Sequence, residues 1–318
     1  MGAGSCQPLD PRVNFFRYGR RTDEGSLIVK FGVMFANVGP MGRAEGAIGI
    51  AQAAEAGGIE SLWTVEHTVV PAGYQSTYPY SDTGKMPGPE DSPIPDPLIW
   101  LSFVAAATST IRLGTGILIL PQRNPVTLAK EVATLDQLSG GRVELGIGVG
   151  WLEEEFEAIG VPFAERGKVT DDHVAALRAL WTQDPATHEG PYSSFRDVYS
   201  LPHPTQAPVP IVVGGHSKAA ARRAGRLGDG FMPGRGSHEE LAELIAVMRA
   251  TAVEHGRDPD AIEVSAGGNG ALGSRALDEV KALADLGVSR VIIPPLAFDV
   301  EGQKDAFARY GDEVISRC

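Results

Sequence analysis

Cysteine is nearly missing from this chain: of 318 residues only Cys6 and Cys318 carry a thiol, one near each end. Two terminal thiols make no disulfide framework, and the usage suits a reducing, cytoplasmic compartment. Basic charge is scarce too. Lys and Arg number 28 against 40 Asp and Glu, a formal charge of −12, and no basic block occurs. That balance argues against a nucleic-acid partner. Long hydrophobic runs are absent: stretches such as Gly114 to Pro121 are far too short to span a bilayer. The seven histidines are scattered, with no His-x-x-x-His or Cys–His spacing, so no metal site is expected. No G-x-S-x-G occurs, which removes the common serine-nucleophile pattern.

What is present alternates. From Leu27 onward, short branched runs suited to strands trade places with Ala-rich amphipathic stretches. Strands are predicted at Phe31–Asn37, Ser61–His67, Ile111–Pro121, Val143–Gly150, Pro210–Gly215, Gly230–Pro233, Ile262–Ala266 and Arg290–Pro295. Helices are predicted near Ala44–Ala56, Pro97–Ser109, Pro125–Leu138, Val169–Gln183, Ser217–Leu227, Ser237–His255, Ala276–Leu286 and Val300–Tyr310. Pro125 suits a first helical turn, and Gly57-Gly58, Gly140-Gly141 and Gly287 supply stops.

Several strands are apolar on both faces, as parallel strands covered by helices must be. Eight such βα units predict an α/β fold, a single (β/α)8 TIM barrel over residues 29–318 with long loops over its C-terminal face. A doubly wound sheet is the alternative, but "GIGVGW" is not G-x-G-x-x-G opening a helix. Residues 1–28 hold Pro8, Pro11, Arg12, Arg17 and Arg20-Arg21 without an apolar segment, and are expected to form a flexible tail.

Two stretches exceed ordinary connections: Thr68 to Asp96, rich in Pro and Tyr, and Asp184 to Ala207. The first follows a strand, so on a barrel it would cover the catalytic face as a lid. Its predecessor "SLWTVEH" ends in Glu66 and His67, of which one should point to the mouth. His67 suits proton transfer near neutral pH. In "VELGIGVGW", period two puts Gly146, Gly148 and Gly150 on one face; with Gly114 and Gly116 of "RLGTGILILP" they predict a floor without side chains, under a flat cofactor. "IVVGGHSK" places Gly214-Gly215 before a helix start, a possible phosphate site or an ordinary glycine turn. Asp171-Asp172-His173 reads as a solvated helical turn.

These blocks together resemble the bacterial-luciferase-like flavin and deazaflavin oxidoreductases, from about Phe31 to Pro295. Within that superfamily the chain is most similar to the branch using coenzyme F420, with FMN as the alternative. The resemblance implies a cofactor ring against the third strand at Thr115, Gly116 and Ile117, with a bulge and a non-proline cis peptide at Gly116–Ile117. Glu66 and His67 would flank that ring, and Gly148, Gly150, Gly214, Gly215, His216 and Ser217 would serve the phosphate. Phe35, Trp151 and Tyr74 would meet the substrate, and Trp151 stands where the sugar-phosphate branch has a catalytic Glu.

The expected activity is hydride transfer between F420 and an organic small molecule, with His67 moving the proton and Glu66 orienting it or binding the ring edge. An FMN-dependent monooxygenase, which would need a separate reductase, is the alternative of the same class. A non-catalytic cofactor-binding protein is the alternative of another class. A homo-oligomer, a dimer, is expected, with no membrane partner.

Overall fold

The computed structural model describes residues 29–234 and 236–318; the expected tail at 1–28 lies outside them. In chain order the strands are β1 (Lys30–Val33), β2 (Ser61–Thr64), β3 (Arg112–Thr115), β4 (Leu118–Ile119), β5 (Val143–Gly148), β6 (Ala186–Glu189), β7 (Ser194–Val198), β8 (Ile211–Gly214), β9 (Gly230–Met232), β10 (Glu263–Gly267) and β11 (Arg290–Ile293). The α-helices are α1 (Ala44–Ala56), α2 (Pro97–Ala105), α3 (Pro125–Ser139), α4 (Glu153–Ile159), α5 (Arg166–Thr182), α6 (Lys218–Leu227), α7 (His238–Glu254), α8 (Ala276–Asp285) and α9 (Val300–Glu313).

All strands but β6 and β7 pair in parallel, in the order β3-β2-β1-β11-β10-β9-β8-β5-β4, and β3 also pairs with β5. That last pairing closes the ring. Because β3 and β4 are two pieces of one strand, the result is the expected (β/α)8 barrel. The break falls where a bulge was expected, and the Gly116–Ile117 bond is cis. The helix ends carry their own caps. Asp96 and Asn124 accept from the first free amides of α2 and α3, each followed by proline, and Ser237 with Glu240 forms a capping box on α7.

Two elements depart from expectation. The Asp184–Ala207 stretch is not a structureless connection: β6 and β7 form an antiparallel hairpin there. This hairpin covers Asp172, whose carboxylate meets His188 Nε2 at 3.0 Å and Ser193 Oγ at 2.9 Å. Asp172 and His173 are therefore buried rather than solvated, Asp172 under the hairpin and His173 against the turn after β4, its Nδ1 3.4 Å from Leu120 O. The second departure, α4, directly follows β5 and bears on the site.

The barrel interior is layered. At the strands' N-terminal ends lies a buried ion cluster centred on Arg290, whose guanidinium binds Glu60 (2.9 and 3.0 Å), Glu144 (2.8 and 3.0 Å) and Ser265 Oγ (3.2 Å). Lys30 Nζ meets Glu263 at 2.6 Å, and Arg112 pairs with Glu144. Burial alone would raise the Glu144 carboxyl, but Arg290, Arg112 and Lys30 outweigh it and hold its pKa down at about 2. At this end of a barrel such residues serve stability.

Above this layer lies the indole of Trp63, fully buried, with its N–H donating to Ser61 Oγ at 2.9 Å. The glycines of neighbouring strands make room for it. A Cβ on Gly114 would stand 2.4 Å from Trp63 Cε3, and one on Gly32 2.8 Å from Trp63 Nε1. One layer higher, Gly148 and Gly214 make room for Ile117, each of their Cβ positions lying 2.4 Å from an Ile117 carbon. The expected bare floor is corrected accordingly. The protein's own groups fill the space: Trp63 at Gly114, Met34 at Gly116, Thr115 O at Gly146, Ile117 at Gly148 and Phe156 at Gly150.

Candidate active site at the barrel mouth

Strand β2 delivers Glu66 and His67 to the C-terminal end of the barrel, and the two side chains part there. Glu66 is buried, with its carboxylate accepting from Ile119 N at 2.5 Å and from Arg123 through Nε at 3.0 Å and also through Nη2. Arg123 in turn binds Asp96 at 2.7 Å. Burial pushes the Glu66 carboxyl upward and Arg123 opposes it, while Glu66 and Asp96 overcome burial and hold the Arg123 guanidinium above its ordinary range. Glu66 therefore clamps the turn after β4 and the end of the long loop. It does not orient His67.

The group that does is Glu155. Its carboxylate is fully enclosed and stands 3.0 Å from His67 Nδ1, while its other oxygen accepts from Thr68 N at 2.6 Å and Val69 N at 3.3 Å. With Nδ1 occupied, Nε2 is the ring nitrogen left for chemistry. The sequence signal was the run Glu153-Glu154-Glu155 after Trp151. Acidic residues in a first helical turn are common for dipole reasons, which hid the inward-pointing member.

The neighbouring Glu154 stays at the surface and holds the long loop. It accepts from Ser76 Oγ at 2.6 Å and from Gln75 N at 2.5 Å; the serine hydroxyl first, then the backbone amides, lower its pKa to about 2. So tied, the loop lays a cluster of rings over the mouth. Trp151 meets His67, Tyr74 and Tyr78 edge to face, with centroids 5.6, 5.4 and 5.1 Å apart, and Tyr78 meets Tyr80 at 5.4 Å. Tyr80 packs against Gly234, where a Cβ would come 2.3 Å from its Cε1. Gly234 follows β9, which stands opposite β2 in the ring, so the loop crosses the whole mouth. Burial drives the Tyr78 phenol up to about 12, so it stays neutral.

The remaining candidates are placed as follows. Tyr74 is buried in the cover, and Phe35, just past β1, is 41% exposed with a φ of 59°. A non-glycine residue there is uncommon and marks a position fixed by its surroundings. Thr115 is buried, its hydroxyl donating to Gly146 O at 2.6 Å. Gly150 turns at a φ of 81° against the ring of Phe156.

Across the barrel, Gly215 has a φ of 127°, and Ser217 caps α6 by accepting from Ala220 N at 3.1 Å. Between them His216 keeps a buried Nδ1 with no hydrogen-bond partner. An orphaned ring nitrogen beside a helix N-terminus fits a phosphate-bearing cofactor, which would give it a partner. Among the described residues no cluster able to hold a metal ion occurs.

Residues 29–301 match the family described as luciferase-like monooxygenase. The chain is 37% identical over 247 residues to the uncharacterized protein Rv0940c of Mycobacterium tuberculosis, covering 77% of this chain and 83% of that one. It is 33% identical over 216 residues to an F420-dependent glucose-6-phosphate dehydrogenase of Kineococcus radiotolerans, covering 66% of this chain and 59% of the relative. With an FMNH2-dependent dimethylsulfone monooxygenase of Pseudomonas putida it shares 36% over 155 residues, 48% of this chain and 42% of the other.

Proposed function

The chain belongs to the luciferase-like monooxygenase family, and on that premise we propose that it transfers a hydride between a deazaflavin of the coenzyme F420 type and a small organic substrate. The observation that carries the reading is a single proton-active ring, His67, fixed by a buried carboxylate beneath an aromatic cover. When bound, a deazaflavin supplies or accepts the hydride. The protein's own residues have the tasks of orientation, exclusion of water and proton movement. His67 gives or takes the proton at Nε2, and Glu155 holds the Nδ1–H tautomer and steadies the imidazolium.

Gly214, Gly215, His216 and Ser217 would hold the phosphate, and Thr115, Gly116 and Ile117 would border the ring, with Gly148 leaving room for Ile117. Trp151, Tyr74 and Phe35 would form the substrate wall. Glu66 holds Ile119 and thereby the segment that includes Ile117. The reading includes a dimer, supported by Ile99 and Phe103 on α2, whose apolar side chains are exposed.

A reduced-FMN monooxygenase fed by a separate reductase is the second reading, favoured by the likeness to the dimethylsulfone enzyme. Thermal unfolding with each cofactor separates the two, because a ligand stabilises the state it binds. F420 should raise the midpoint and FMN should not, and reduced F420 should then be consumed with an acceptor substrate. Stabilisation by FMN alone would overturn the deazaflavin reading.

A further inference from the structure

The long loop borders a cleft of its own, open to solvent. It has a volume of about 170 Å³ and lies between the loop's two arms, with Thr68, Val69 and Val70 on one, Glu90, Asp91, Ser92 and Ile94 on the other, and His67 among the lining residues. None of the rings of the aromatic cover is part of that lining. His67 thus borders two environments, the aromatic mouth through Trp151 and a polar cleft within the loop.

We propose that this cleft is the route by which protons pass between bulk water and His67 while the aromatic cover closes the mouth. The inference rests on His67 being the proton group of the reaction. Each turnover leaves His67 one proton short or one in excess, and the cover that keeps water from the reacting atoms also blocks repair through the mouth. The ring's Nδ1 is committed to Glu155, so exchange must reach it from another side.

The cleft has the chemistry for that task. Its volume accommodates several waters, and its polar walls give them partners. Glu155 from α4 binds His67, and the acidic residues Glu90 and Asp91 of the loop line the cleft. Glu90 also accepts from Gly73 N at 2.7 Å, which keeps the returning arm in place. Acidic walls draw in hydronium and protonated buffer. The step itself is balanced: with Nδ1 held by Glu155, an N–H bond forms at His67 Nε2 as an O–H bond of hydronium breaks, leaving water, and the reverse reaction discharges it.

Diethyl pyrocarbonate acylation of the cofactor-free protein, read residue by residue by mass spectrometry, tests the route. Ser92→Phe and, independently, Ile94→Trp should fill the cleft and slow acylation of His67 severalfold, while Ser92→Ala leaves it unchanged. His188 and His255, which do not line the cleft, serve as internal controls. In turnover, the filled variants should show a larger solvent deuterium isotope effect on kcat. Equal acylation of His67 in filled and wild-type proteins overturns the route; slowed acylation with an unchanged isotope effect overturns its proton role. Acylation needs neither cofactor nor turnover, so failure of the hydride reading would show separately, as absence of any F420 reaction in a protein whose cleft still admits the reagent.

Discussion

Glu155 Oε2 lies 3.0 Å from His67 Nδ1, although 88 residues separate the two in the chain. The pair links the end of β2 to the start of α4, and Thr68 N, bound to the same carboxylate at 2.6 Å, joins the root of the loop to it. One buried carboxylate therefore holds both the His67 ring and the root of the loop that covers it.

Removing the ring should stop the chemistry and spare the cofactor site. His67→Ala is expected to lower turnover by about 10²–10⁴-fold, as loss of a general acid–base residue does, with cofactor affinity within a few-fold of wild type. Steady-state kinetics and a binding titration on the same preparation check this. Undiminished turnover would remove His67 from the mechanism.

Changing the partner should act through the ring. Glu155→Gln keeps the volume but puts an amide where the carboxylate accepted, so the ring is held less well and turnover should fall while cofactor affinity stays within a few-fold of wild type. Glu66→Gln is the contrast: it loosens Arg123 and Ile119 and should cost stability. Turnover undiminished by Glu155→Gln would contradict the pairing.

The surface latch on the loop should be separable from catalysis. Glu154→Ala removes the acceptor of Ser76 Oγ and of the Gln75 and Ser76 amides. Hydrogen exchange at those two amides should accelerate while the barrel strands keep their protection. Exchange equal to wild type would mean the loop is held by its rings alone.

The ion cluster at the barrel's base predicts acid sensitivity. Glu144 has a folded pKa of about 2, depressed by Arg290 and Arg112 against the effect of burial. A depressed carboxyl adds stability at pH values above its unfolded pKa of roughly 4.3, and that contribution is lost as pH falls through the folded value. Urea midpoints measured from pH 5 to 2 should therefore fall in wild type and fall less steeply in Glu144→Gln, which starts out less stable.

The indole in the barrel predicts a large loss. Trp63→Ala leaves a void bounded by Gly32 and Gly114 and by Val212, Met232 and Ile292, and should destabilise by about 3–5 kcal/mol if those neighbours keep their places. Denaturant unfolding measures this. A loss below about 1 kcal/mol would mean that the interior collapses around the gap.

Much of this protein was legible along the chain because it depends on local pattern. Period-two and period-3.6 hydrophobicity, proline at helix starts and glycine at helix ends identified eight βα units, hence the barrel, and put His67 at its mouth end. Pairings over long separations were not legible. Glu66 is adjacent to His67 but binds Arg123, and Glu155 binds His67 from a helix that period and propensity did not reveal. The glycines show the same limit. Spacing alone established that Gly114 and Gly148 leave space on the inner face, but Trp63 and Ile117 fill it. Which group occupies a space, and which of three consecutive glutamates turns inward, depends on the closure of the ring and the packing it brings about. Only the tertiary structure decided those.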